Sequence, residues 1–265
     1  RANLRKLTTI LLDPIAEHLA GKRLVIAPHG ILHHLPFHAL PWQDGWLTDR
    51  FEVVYTPSAA VHAYCGRRHE TAEGLPSVFG LPDEQAPEIE AEALRVAERL
   101  GSPRLHLRED ATLDRLRDEA RDARILHIAT HGMFRHAEPM LSSIRLADRW
   151  VNLYDLYSLE VRSELVVLST CESGVADVTG GVEILGMARG FLYAGARALL
   201  TSQWRVHDAV TSKFMDAFYD HLNQLGDAAA AHRAAIAAIR ATHPHPYFWA
   251  PFVLVGASNQ TAAEV

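Results

Sequence analysis

Cysteine is scarce in this 265-residue chain: there are two, Cys65 and Cys171, in dissimilar local settings. One follows an apparent helix and one closes an apolar run, so no disulfide framework is expected, and a reducing, cytoplasmic setting is. Long hydrophobic runs are missing too. No stretch approaches the roughly 20 apolar residues of a transmembrane helix, and the opening RANLRKLTTILL lacks the h-region and cleavage site of a signal peptide. Positive charge is not in excess. The 26 Lys and Arg stand against 32 Asp and Glu, with a formal net charge of −6 and the signs interspersed. A nucleic-acid surface would carry a basic stripe, so nucleic acid is not expected as a direct ligand. Internal repeats and low-complexity tracts are absent as well. The chain also opens without a Met, inside a helical pattern, which reads as a domain excised from a longer protein.

What is present is a globular composition, 48% hydrophobic and 22% charged, enough for one large core or two small ones. Leu or Ile at helical spacing from Leu4 to Leu19 predicts a helix that stops near Gly21. Strands follow at Arg23 to Ala27 and Phe51 to Thr56, separated by the loop PHGILHHLPFHALP, and PSAAVHAYCGRR reads as a short helix. A polar break from Arg67 to Pro76 marks the one internal boundary, giving an amino-terminal segment of residues 1–76, a core of residues 77–256 and a frayed tail from Ala257 to Val265. From Ser77 onward strands and helices alternate: SVFG, Glu88 to Leu100, LHL, Thr112 to Arg121, RILHIATHG, a polar excursion, LVVLSTC, Glu183 to Ala194, ALLTSQW, Asp208 to Leu225, Asp227 to Ala241 and FVLVG. Such alternation implies an α/β fold, a mostly parallel sheet with helices on both faces.

Two strand ends carry chemistry. In LVVLSTCESG a buried apolar run delivers Cys171 at its carboxyl end, and RILHIATHGMF delivers His131 in the same way. In open α/β sheets the chemistry gathers outside those ends. A histidine beside a thiol favours the thiolate and can return the proton to a leaving amine. Gly132, having no Cβ, would loosen a turn whose backbone N–H groups could hold an oxyanion. The two residues meet only if their strands are neighbours. From the residues alone, Cys171 reads equally as a small buried apolar side chain.

Several ordered motifs carry a resemblance: ILHIATHG, then VVLSTCESG, then GGVEILGMARGFLYAGARALLTSQWRVHDAV, with PHGILHHLPFHALP and YTPSAA earlier. Together, from roughly Arg23 to Gly256, they resemble the CHAT domain family, which is grouped with caspases, separases, gingipains and clostripain. STCESG differs from the commoner SACETG form by small swaps that keep the Cys and its acidic neighbour. The resemblance implies a caspase-like sheet and a cysteine endopeptidase with His131 as base, Cys171 as nucleophile and the backbone N–H groups of Gly132 and Cys171 as oxyanion donors. It implies a protein substrate, and a tetratricopeptide-repeat or other sensor module joined to the domain. The TSQWR segment is similar to the one with which caspase relatives pair substrate backbone, which assigns substrate binding to Ser202, Gln203, Trp204 and Arg205. Trp204 reads equally as core.

Glu172 and Asp177 would favour a basic residue before the scissile bond, and also read as a solvated acidic loop. His29, His33, His34 and His38 lack a zinc frame, and Gly180–Gly181 lacks the Lys-Ser/Thr of a phosphate loop, so neither metal nor cofactor is expected. Two other readings stay open: a catalytically silent interaction scaffold of the same fold, and an acyltransferase or amidase using the same pair.

Overall fold

Periodicity of two and of 3.6 residues alternates along the sequence, and the chain folds accordingly. A computed structural model describes residues 2–67, 71–84, 86–135, 138–172, 181–204 and 206–257, with the backbone alone at 171, 172 and 181–185. The amino-terminal segment forms α1 (Ala2–Leu11), β1 (Arg23–Ile26), a small hairpin of β2 (Pro41–Trp42) and β3 (Gly45–Trp46), α2 (Leu47–Arg50), β4 (Glu52–Tyr55) and α3 (Ala59–Gly66). Next come β5 (Ser77–Gly80), α4 (Glu88–Leu100), β6 (Arg104–Leu107), α5 (Leu113–Ala120), β7 (Ile125–Met133), β8 (Ser143–Arg145), β9 (Trp150–Asn152) and α6 (Leu153–Tyr157). The last stretch forms β10 (Leu165–Glu172), α7 (Gly181–Ala194), β11 (Ala198–Ser202), α8 (Asp208–Leu225), α9 (Ala228–Thr242) and β12 (Phe252–Gly256).

Local chemistry sets many of these bounds. The Thr112 side chain accepts from the Arg115 N–H to start α5, and Asp227 accepts from Ala230 at 2.8 Å to start α9. Gly101 and Gly226, at φ +69° and +65°, close α4 and α8 in the left-handed conformation that glycine adopts without strain. The helix expected as far as Leu19 stops at Leu11 and continues as a 3₁₀ turn over Asp13–His18, because Pro14 lacks the N–H that an α-helix interior needs.

The strands pair in the order β1-β4-β12-β11-β10-β7-β5-β6. From β11 to β6 all neighbours are parallel, as are β12, β4 and β1 among themselves. The two blocks meet at β11 and β12, which run antiparallel with Ser202 opposite Phe252. Two helices, α8 and α9, join this pair, where a single helix joins β5 to β6 and β10 to β11. The extra helix returns the chain to the end at which β11 finished. Alternate residues of each strand feed opposite faces. Leu126, Val166, Leu168, Leu199 and Val253 pack with Leu116, Leu156, Met187 and Phe191 on one side. Val167, Leu200, Phe252 and Leu254 pack with Val96, Phe214, Phe218 and Ile236 on the other. The α/β sheet with helices on both faces is thus realised.

Both β1 and β4, from the first 76 residues, belong to this same sheet. Ala257, expected to fray, is 3% exposed and donates its N–H to the Arg197 carbonyl at 2.9 Å; the remainder of the tail, 258–265, lies outside the described residues. Among the described residues no helix is long and apolar enough to cross a membrane.

Candidate active site

Strands β7 and β10 are neighbours. Their parallel ladder runs from Ile125 opposite Leu165 to Gly132 opposite Glu172, and it sets Cys171 directly opposite His131. Adjacent strands lie about 4.8 Å apart, so the two residues are brought together at the carboxyl ends of their strands. The Cys171 side chain lies outside the described structure.

His131 sits on the face of β7 that also carries His127 and Ala129, and its side chain is 6% exposed. Its Nε2 stands 2.9 Å from Oδ1 of Asp83. Asp83 follows β5, the strand on the other side of β7, and its side chain is 50% exposed. The same Oδ1 accepts the Ala86 N–H at 3.0 Å, which fixes the carboxylate in place. Three adjacent strand ends therefore supply carboxylate, imidazole and the cysteine position in one line. A carboxylate so placed selects one imidazole tautomer, holds the ring in orientation and stabilises the imidazolium that forms when the ring takes a proton.

Asp83 was not singled out in the sequence. Its one signal is position, in the Leu81-Pro82-Asp83 turn just past a strand end. That signal acquires meaning only once β5 is known to flank β7. Gly132 departs from expectation in a different way. It lies inside β7, paired with Ile144 of β8, and has no positive φ, so no loosened turn exists there. A Cβ at this position would stand 2.6 Å from the outer atoms of the half-buried Phe134 ring, which would have to shift. His127, the other histidine of this face, is fully buried, with Nδ1 2.9 Å from the Tyr219 hydroxyl and Nε2 3.4 Å from Glu92. Burial and the nearby Glu92 raise the Tyr219 pKa, so its hydroxyl stays protonated beside the ring.

The expected substrate segment is divided. Ser202 ends β11, half-buried. Gln203 is 3% exposed, its N–H donates to the Pro251 carbonyl at 2.8 Å and its side chain to the His33 carbonyl at 3.0 Å. Trp204 is half-buried against the α8 and α9 side, and its indole N–H donates to the Tyr247 carbonyl at 3.1 Å. Arg205 and Asp177 lie outside the described residues, as does the side chain of Glu172. One edge of β11 is closed to a substrate backbone by β12, which pairs with it from Ala198 to Ser202. On the other side the β10 ladder stops at Val167 opposite Leu200, and one residue further the Thr201 hydroxyl donates to the Leu168 carbonyl at 3.2 Å. A cleft of about 460 Å³ lies between the first turns of α4 and α8, lined by Ala86, Glu92, His207, Asp208 and Ser212 among others. Ala86 packs on Ala129, two residues before His131.

The histidine-rich loop has its own partners. His38 is buried, with Nδ1 2.8 Å from the Tyr55 hydroxyl, and its ring lies edge-on to His232, centroids 5.8 Å apart. His33 presents Nε2 to the Arg189 guanidinium at 3.3 Å.

Comparison with known proteins bears on this arrangement. In solved structures the fold is similar to separase in the Saccharomyces cerevisiae separase-securin complex, with a TM-score of 0.62 at 14% identity over 92% of this chain and 16% of that one. It is also similar to the Arg-specific cysteine proteinase gingipain R, with a TM-score of 0.55 at 9% identity over 77% of this chain and 53% of that one. The fold is therefore caspase-like. Among curated proteins, Tetratricopeptide repeat protein 28 of Mus musculus is 25% identical over 92% of this chain, and that of Homo sapiens 24% over the same share. The chain spans only 12% of the length of either relative. The CHAT domain matches residues 1–257. With that match running from the first residue to the end of the last strand, the chain belongs to the CHAT domain family.

Proposed function

We propose that this chain is a cysteine endopeptidase in which His131 draws the proton from Cys171, and that Asp83 orients the imidazole. The observation that carries the reading is the ladder pairing of Cys171 with His131 while His131 meets Asp83 at 2.9 Å. The Cys171 thiolate adds to the scissile carbonyl carbon. The backbone N–H groups of Gly132 and Cys171, the donors the family resemblance implies, hold the resulting oxyanion, although Gly132 lies in a strand and not in a turn. As the tetrahedral species collapses, the carbon–nitrogen bond breaks, the imidazolium protonates the leaving amine, and a thioester remains. Water, deprotonated by His131, then hydrolyses the thioester and restores the thiol.

An extended peptide would add its backbone past the end of the β10–β11 ladder, beside Ser202 and Trp204, with Arg205 next in the chain. Its side chain before the cut would enter the cleft between α4 and α8, where Glu92 and Asp208 suit a basic residue, with Glu172 and Asp177 adding to that preference. The name of gingipain R, an Arg-specific proteinase, supports this substrate class. We place the action in the cytoplasm, where the thiol stays reduced. The tetratricopeptide repeats in the relatives' name and the securin partner of separase support control by a repeat module or protein partner.

The deciding experiment compares new protein termini in cells carrying full-length protein with those in cells carrying Cys171→Ala. One or a few cleavages that need Cys171 are expected. If none appears while Cys171 and the buried Cys65 react equally slowly with iodoacetamide, the interaction-scaffold reading replaces this one.

A further inference from the structure

Gln203 is out of character for its position. It lies one residue beyond β11, between the half-buried Ser202 and Trp204, and is itself 3% exposed. Its Nε2 donates to the His33 carbonyl, while its Oε1 has no hydrogen-bond partner among the described residues. An apolar side chain of equal size would fill the same space without orphaning an oxygen, and burying an unmatched carbonyl opposes folding. A residue that breaks the local rule for stability marks a functional constraint, and here the retained feature is the donor.

The group it grips is a junction. The His33 carbonyl takes the Gln203 amide, and the His33 ring takes the Arg189 guanidinium. Arg189 belongs to α7, the next helix after the strand that ends at Cys171 and Glu172, whereas Gln203 follows the next strand, β11. Burial, and then Arg189, lower the His33 pKa, so the ring stays neutral and able to accept. Farther along the loop, Phe37, His38, Ala39 and Leu40 are all buried, with His38 against the Tyr55 hydroxyl. The loop is thus anchored in the core at one end and at the other touches α7 and the residue just past β11.

We infer that this histidine-rich loop is a brace for the substrate-binding strand end, and that Gln203 is the positioning residue through which it acts. Gln203 does not touch substrate; it fixes Ser202 and Trp204, which do. The inference rests on the peptidase reading and gives the loop a role that metal binding does not.

The test uses full-length protein and peptidyl acyloxymethyl ketones ending in arginine, leucine or aspartate, which alkylate Cys171 from the peptide groove. Iodoacetamide, which needs no groove, serves as the reference. Gln203→Leu keeps the volume and removes the donor; Gln203→Glu keeps the shape and turns a carboxylate toward the His33 carbonyl. In both, KI for the preferred ketone should rise about ten-fold, with kinact and the iodoacetamide rate within about two-fold of wild type. Amide exchange should quicken together in residues 30–36 and 201–204. A side chain that merely filled space would leave KI unchanged in a Gln203→Leu protein of wild-type thermal stability, and that result overturns the inference. Unchanged exchange in both segments overturns it as well. If wild-type Cys171 takes iodoacetamide but no ketone, the peptidase reading fails instead. Exchange then decides the brace by itself: joint quickening upholds the Gln203 contact, and none removes it.

Discussion

Histidines gather in two regions of this molecule, and the two differ in what surrounds them. At the end of β7, His131 meets a half-exposed carboxylate, Asp83, and stands opposite the Cys171 position. In the core beneath β4 and β12, His38 and His232 face each other, and among the described residues neither pairs with a carboxylate; His38 bonds to Tyr55, and His232 bonds to the Phe252 carbonyl at 2.9 Å. Burial pushes the His232 pKa down to about 4, and burial with the neighbouring His232 pushes that of His38 well below its ordinary value. The same side chain has a charged partner at one place and only neutral partners at the other, and without a charged partner burial favours the neutral ring. His127 sharpens the contrast, because it shares a face of β7 with His131 yet is sealed by Tyr219 and Glu92.

The largest effect that would test this contrast is loss of the pair at the strand ends. Cys171→Ala and His131→Ala should each lower kcat by about 10⁴-fold or more, and the double variant should be little worse, because groups acting as one unit are not additive. His127→Ala should leave the rate of the folded fraction within about two-fold. Single-turnover kinetics on the three variants would reverse the comparison if His127, and not His131, proved indispensable.

Next in size is an acid effect confined to the core pair. A buried histidine whose folded pKa lies below its unfolded value favours the neutral form, so its contribution is complete above about pH 6.5 and is lost as pH falls toward the folded value. For His232, with a folded value of about 4, the window from pH 6.5 to 4 removes about 3 kcal/mol. Denaturant unfolding at pH 7 and pH 4 should show a smaller loss in His232→Gln than in wild type. Equal losses would mean that the core pair does not set the acid limit.

The smallest effect falls on the carboxylate. Asp83→Asn keeps the size and removes the charge that stabilises an imidazolium. Because Asp83 is half-exposed and water can replace it in part, kcat should fall by only about 10- to 100-fold. A rate unchanged in Asp83→Asn would reduce His131 and Asp83 to a contact without a catalytic share.

The legibility of the fold follows from the range over which each signal acts. SVFG, Glu88–Leu100, Asp208–Leu225 and FVLVG form the expected elements to the residue, because side-chain periodicity and the Gly101 and Gly226 stops operate within a few positions. The strand ends bearing His131 and Cys171 were legible for the same reason. Asp83 was not, since nothing within a few residues of it reports that β5 flanks β7. The turn expected at Gly132 did not form because β7 continues through it, paired with β10 on one side and β8 on the other, and neither partner is near it in sequence.

By itself, then, the sequence determined the alternation of strands and helices and the placement of one histidine and one cysteine at strand ends, since local sterics and hydrophobic spacing suffice for both. Tertiary structure alone decided that β5, β7 and β10 are neighbours, that Asp83 meets His131, and that β12 closes the edge of β11. It also decided that Gln203 reaches His33 across 170 positions of chain. Such pairings depend on which apolar faces find one another in the core, and no local pattern of residues records that choice.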